Sequence, residues 1–143
     1  MRISDVIGSK TSQDVITIAP DATVRELLSL MAEHNVGALI VSTDGSSVDG
    51  IVSERDVVRR LVDSDDVLDG EVSAIMTAEV QTADPGSSLD ELRVVMTERR
   101  IRHVPVVTDG RLTGIISIGD VVKAAMQQLE FERDQLDHYV HQT

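Results

Sequence analysis

The sequence predicts an α/β protein: two β-α-β-β-α repeats packed sheet to sheet about a pseudo-twofold axis, followed by an extended C-terminal helix. Three observations carry that prediction. GIVSERDVV at residues 50–58 returns as GIISIGDVV at residues 114–122, 64 residues later. Upstream, Val15, Thr17, Pro20, Leu27 and Met31 match Val80, Thr82, Pro85, Leu92 and Met96 at a spacing of 65, as does Asp44-Gly45 with Asp109-Gly110. The chain has 143 residues, 41% hydrophobic and 27% charged, a globular balance. Half of such a chain has too small a core to stand comfortably alone, so each sheet needs a partner for its apolar face.

The elements follow in order. A lead-in, Ile3-Ser4-Asp5-Val6-Ile7, recurs as Val72-Ser73-Ala74-Ile75-Met76, and the first copy is followed by the longer polar linker. A short β-rich segment comes next, VITIA or VQTA, stopped by Pro20 or Pro85, which lack a backbone donor. A helix follows: Val24, Leu27, Leu28 and Met31 fall on one face, as do Leu89, Leu92, Val95 and Met96, with Thr23 and Ser88 as caps. Two β-branched runs, ALIVS with GIVS and HVPVV with GIIS, are joined by turns containing Asp-Gly, a hairpin signal. The first repeat has one extra residue in its GSSVDG turn. A second helix begins near Glu54 and near Gly119. The division is a first repeat with its lead-in at residues 1–64, a second with the acidic joint DSDDVLDGE and its lead-in at 65–125, and a helical extension at 126–143.

In that extension Val122, Met126, Leu129, Leu136 and Val140 recur at spacings of three and four, interrupted by Arg133. Such a stripe packs on its own domain or on a second copy of the chain. The first repeat does without an equivalent, and this points to a homodimer.

Composition excludes several classes. A net charge of −12 argues against a nucleic-acid partner or an anionic membrane surface, both of which need basic fields. There is no cysteine, hence no disulfide and no thiolate chemistry, which fits a cytoplasmic protein. No apolar run is long enough to span a bilayer, and MRISDVIGSK lacks the apolar core of a signal peptide. The aromatic residues are Phe131 and Tyr139, so a bound base would lie between aliphatic side chains. His138 and His141 could share a helix face but have no third ligand nearby, and no metal site is expected. With no P-loop, no GxGxxG and no legible nucleophile–base pair, the chain is not expected to be an enzyme.

The repeated Ser-x-x-Asp admits two readings. Directly before an apolar helical pattern it is close to a capping box, with Ser53 and Ser117 bonding backbone N–H groups and Asp56 and Asp120 at the positive end of the helix dipole. The same geometry offers free N–H groups and a hydroxyl at a helix N-terminus, an anion site, with a carboxylate one turn on that can accept two hydrogen bonds from a vicinal diol. Phosphate beside diol describes a ribonucleotide.

Taken over residues 3–125, the β-α-β-β-α order, HVPVV before an Asp-Gly turn, and G-h-h-S-x-x-D in both halves (h for apolar) resemble a tandem pair of cystathionine-β-synthase (CBS) domains, a Bateman module of the stand-alone bacterial or archaeal type. The resemblance implies that Ser53 and Ser117 contact phosphate, that Asp56 and Asp120 hold ribose hydroxyls, and that Thr17 and Thr82 border the base. Two departures predict unequal clefts: the first repeat reads GALIVS without the proline and basic residues of RHVPVV, and the second reads SIGD without the arginine of SERD. Charge placement adds candidates. Of thirteen basic residues, six lie in two short stretches, Arg55, Arg59 and Arg60, and Arg99, Arg100 and Arg102. The dipole explains arginines at helix ends but not Arg55 at a helix start, and Arg102 with His103 stands at a strand entry. Because its own half carries Arg102 and His103, Asp120 is favoured over Asp56.

The function this implies is a regulatory sensor of an adenine nucleotide bound between the repeats, AMP first and ADP or ATP next. It needs no resident cofactor and acts on an effector protein that the sequence does not name. The rival readings are an interaction module whose clefts bind nothing, and a sensor of NAD(H) or S-adenosylmethionine.

Overall fold

Each repeat folds its β-branched runs into a small sheet with helices against it. The computed structural model describes residues 1–10 and 15–141; residues 11–14, part of the polar linker, lie outside the described residues. The first repeat contains β1 (Thr17–Ile18), α2 (Val24–His34), β2 (Ala38–Val41), β3 (Gly50–Ser53) and α3 (Glu54–Asp63), after a short lead-in helix, α1 (Ile3–Ser9). The second contains α4 (Leu89–Arg99), β4 (His103–Thr108), β5 (Arg111–Ser117) and α5 (Ile118–Val140). Two 3₁₀ turns, Asp65–Asp69 and Val72–Ala74, link them. No helix among the described residues is long and apolar enough to cross a membrane.

The first sheet runs β1-β2-β3, with β1 parallel to β2 (Thr17 opposite Ile40) and β2 antiparallel to β3 (Ala38 opposite Ser53). The second sheet, among the described residues, pairs β4 with β5, antiparallel, His103 opposite Ser117. The strand expected at VQTA is a correction: that segment makes a single parallel bridge, Ala83 to Val106. Ala83 N–H donates to the Pro105 carbonyl and the Ala83 carbonyl accepts from Val107 N–H, each at 2.9 Å. To continue upstream the ladder would need the N–H of residue 105. Proline has none, whereas Ile40 at the matching place in the first repeat does. The Asp-Gly turns also differ. Asp109 and Gly110 both have positive φ (51° and 78°) and form a two-residue hairpin turn, while Asp44-Gly45 lies in a longer loop between β2 and β3.

Thr23 caps α2 in a capping box with Glu26, and Ser88 caps α4 through Asp90 and Glu91 N–H groups. Val24, Leu27 and Met31 are buried from the first helix, and Leu89, Leu92 and Met96 from the second.

The lead-ins exchange partners. Ile3 and Val6 belong to the core of the second repeat, with Leu92, Met96, Val104 and Ile116. Val72 and Ile75 belong to the core of the first, with Val24, Leu27, Val41 and Val52. Backbone bonds seal each exchange: Ile3 N–H to Ser87 O at 3.0 Å, and Val72 N–H to Ala22 O at 2.9 Å. The exchange explains the recurring glycine of the quoted motif. A Cβ on Gly50 would lie 2.5 Å from Met76 Sδ and 2.9 Å from Thr77 O, and one on Gly114 would lie 2.8 Å from Ile7 Cδ1. Ile7 and Met76 are the matching residues of the two lead-ins, each lying across the glycine of the other sequence half.

Candidate functional site

Ser53 ends β3 and caps α3; Ser117 ends β5 and caps α5. Both form full capping boxes. Asp56 Oδ2 accepts Ser53 N–H at 2.8 Å, and Asp120 Oδ2 accepts Ser117 N–H at 2.9 Å. The Ser53 hydroxyl also donates to Asp56 Oδ2 at 3.1 Å. The capping reading therefore holds in both copies, but it uses one carboxylate oxygen. Oδ1 of Asp56 takes no hydrogen bond among the described residues, so capping and binding are compatible at this residue.

The next residue ties each helix start to a strand entry. Glu54 N–H donates to Gly37 O at 3.0 Å and Ile118 N–H donates to Arg102 O at 2.8 Å. Between these two corners lies a cleft of about 650 Å³. The first repeat contributes Gly37, Ala38, Ile51, Ser53, and Arg55, Asp56 and Arg59 of α3. The second contributes Arg99 and Arg100 at the end of α4, then Ile101, Arg102 and His103. Thr77, Glu79, Val80 and Gln81 complete it.

The cleft is basic within an acidic chain. Arg55, Arg59, Arg99, Arg100 and Arg102 line it against Glu54, Asp56 and Glu79, and none of the five arginines has an ion pair among the described residues. Local structure gathers them. Arg55 and Arg59 stand one turn apart on α3. Arg100, left-handed at φ 54°, caps the C-terminus of α4 and turns the chain into β4. Arg55 lies in the first turn of α3, where the dipole opposes a cation, so helix electrostatics do not account for it.

Of the residues expected from sequence, Ser53, Arg55, Asp56, Arg102 and His103 line this cleft; Thr17, Thr82, Ser117 and Asp120 do not. Arg102 and His103 thus stand with Asp56 across the repeat boundary. Arg59, Arg99 and Arg100 belong to the lining as well. The clustering of arginines in an acidic sequence pointed to them, but their positions at helix ends gave a sufficient dipole explanation. Glu79 and Gln81 carried no signal.

The second helix start is differently equipped. Lys10 Nζ lies 2.9 Å from Asp120 Oδ2 and donates to Ile115 O at 2.9 Å. Burial pushes the Asp120 carboxyl up, but the Ser117 N–H and the Lys10 ammonium outweigh it and hold the pKa below its ordinary value. His103 lies between the two helix starts. Burial pushes its pKa below the ordinary histidine value; Asp120 and Glu54 oppose the shift, and Arg102 and Lys10 add to it.

The CBS domain family matches residues 3–63 and 72–127, most of the chain. A mitochondrial CBS domain-containing protein of Arabidopsis thaliana, CBSX3, is 36% identical over 146 residues, spanning 96% of this chain and 71% of its own. A CBS-domain containing protein from Agrobacterium tumefaciens superposes with a TM-score of 0.83 at 39% identity, covering 87% of this chain and 99% of that one. The CBS domain pair of protein MJ0100, solved with 5′-methylthioadenosine and S-adenosyl-L-methionine, shares the fold at 23% identity and a TM-score of 0.78, over 90% of this chain and 98% of that one.

Proposed function

This chain belongs to the CBS-domain family, and from that premise we propose that it is a regulatory, non-catalytic sensor of an adenine nucleotide held in the arginine-lined cleft. One observation carries the reading: a single cleft joins a serine-capped helix N-terminus, a carboxylate oxygen that takes no hydrogen bond and five arginines that make no ion pair among the described residues. In this reading the phosphates meet the α3 N-terminus and the guanidiniums, and Asp56 Oδ1 accepts from the ribose hydroxyls. The base lies among Ile51, Val80 and Ile101, since the lining offers no aromatic platform. A volume of about 650 Å³ suits a nucleotide-sized ligand. AMP is the first candidate; the number of arginines leaves room for the longer phosphates of ADP and ATP.

The cleft takes residues from both repeats, so a ligand that bridges them favours the arrangement in which both sets reach it. An effector protein then reads the shift in population. The setting is the cytoplasm, the protein acts as a homodimer, and no resident cofactor is required. Nucleic acid and membrane are not partners in this reading.

Thermal unfolding with AMP, ADP and ATP, backed by titration calorimetry, tests it. A ligand at a hundred times its dissociation constant adds about 2.7 kcal/mol, several degrees in a domain of this size. Arg102→Ala should reduce the shift. Silence in both methods across these nucleotides, NAD(H) and S-adenosylmethionine would favour an interaction module instead. A response confined to NAD(H) or S-adenosylmethionine would keep the sensor and replace its ligand.

A further inference from the structure

Of the residues that line the cleft, His103 is the one whose side chain ordinarily changes charge between about pH 5 and 8. It is the first residue of β4, opposite Ser117, the cap of α5. The residue is half-buried, and its ring makes no hydrogen bond or ion pair among the described residues. No buried polar side-chain atom among those residues lacks a partner, so both ring nitrogens reach solvent. Neither the ribose contact at Asp56 nor the arginines require this imidazole.

Charges from every element around it decide its protonation. Burial favours the neutral ring first; Asp120 of α5 and Glu54 of α3 oppose that, while Arg102 beside it and Lys10 after α1 support it. The balance falls on the neutral side of an ordinary histidine. Across the cleft, Arg55 and Arg59 on α3 and Arg99 and Arg100 at the end of α4 add cations, against Asp56 and Glu79. A phosphate entering this space cancels the arginine field that disfavours a further cation. It also brings oxygens that only accept hydrogen bonds. A neutral imidazole meets them with one N–H and one lone pair, an imidazolium with two N–H donors.

We propose that His103 takes up a proton from the medium when an anionic ligand enters the arginine-lined cleft, so that the chain binds phosphate more tightly as the medium becomes more acidic. The inference rests on the reading of this cleft as a nucleotide site and adds a second input to it. The proton is taken up between the pKa of the empty cleft, below 6.5, and that of the complex, above it. Affinity therefore rises as pH falls through the upper value and levels off below the lower one.

Titration calorimetry with AMP, in two buffers of different ionisation enthalpy, counts the protons taken up per ligand bound. It is repeated from about pH 8 to about pH 5. The phosphate of AMP itself titrates near pH 6, so the reading is the difference between the wild type and His103→Asn. The wild type should take up more protons than the variant, and should gain up to about tenfold more affinity towards acid, as a tenfold change in the proton affinity of one group brings. Equal uptake and parallel affinity profiles, with AMP bound by both proteins, would overturn the inference and leave the nucleotide site standing. No binding of AMP by either protein would overturn both. Proton NMR of the wild type supplies a measurement that needs no variant. The chain has four histidines; with AMP, one should titrate at higher pH than without it, while His34, His138 and His141, outside the lining, keep their midpoints. Four unmoved midpoints in the complex would overturn the proposal.

Discussion

Replacing Asp56 by Ala tests whether the repeated Ser-x-x-Asp does more than cap a helix. In the structure Asp56 Oδ2 is committed to Ser53, Oδ1 takes no hydrogen bond among the described residues, and Asp56 lines the cleft. A hydrogen bond to a charged acceptor contributes about 1.5–3 kcal/mol. At about 1.4 kcal/mol per decade, its loss weakens nucleotide binding roughly ten- to a hundredfold. The cap also weakens, by about 0.3–1 kcal/mol through the dipole and somewhat more from the Ser53 N–H, which must turn to water. Asp120→Ala is the matched control. It removes the same cap from α5, together with the Lys10 ion pair, but Asp120 is not itself part of the lining of the cleft. Calorimetric titration and thermal unfolding of both variants should give a loss of stability at least as large in Asp120→Ala, which also loses the Lys10 pair, with a large loss of affinity in Asp56→Ala alone. Asp56→Asn, which keeps a neutral acceptor, should fall between wild type and Ala. Wild-type affinity in Asp56→Ala would refute the ribose contact, and equal losses at the two positions would mean the effect travels through the fold rather than through the cleft.

The other expectations concern packing and charge. Ile3→Ala should cost about 2–5 kcal/mol in denaturant unfolding, because Ile3 is fully buried in the core of the second repeat; a cost near zero would deny the exchange of lead-ins. Gly50→Ala should destabilise by about 1–3 kcal/mol and by more than Gly114→Ala, because its Cβ meets a backbone carbonyl as well as Met76, whereas Gly114 meets only the flexible end of Ile7. Lys10→Ala should cost up to about 1 kcal/mol at neutral pH and less at high salt, the pair being partly exposed. The Asp120 pKa is lowered on folding, so its contribution is present above the ordinary value of 3.8 and is lost as pH falls through the folded value; the difference between Lys10→Ala and wild type should therefore shrink in acid to what the Lys10 bond to the Ile115 carbonyl leaves. His103 has the opposite sign of charge. Its folded pKa lies below 6.5, so the unfolded chain takes up the proton first, and stability falls as pH drops from 6.5 towards the folded value. Replacing His103 by Asn should flatten that part of the stability–pH profile.

The sequence by itself determined the repeat, the order of most elements, the helix caps and the two Ser-Asp pairs, because each of these is local: a cap needs residues three apart, and a buried helix face needs only its own period. The first strand of the second repeat was misread for a local reason seen only in pairing, since Pro105 lies in the neighbouring strand and denies VQTA its ladder. Tertiary structure alone decided the rest. Ile3 and Val72 head matching lead-ins that fit matching slots, so nothing in either stretch says which repeat it will pack against; the path of the chain settles that. Arg102 and His103 follow a helix of the second repeat, and sequence proximity assigned them to Asp120. The fold also brings them into one cleft with Asp56 across the repeat boundary, while His103 stays opposite Ser117 and within the field of Asp120, which itself takes the ammonium of Lys10, more than a hundred residues away. Chain order records which residues a repeat owns, whereas a cleft formed between two related halves takes residues from each.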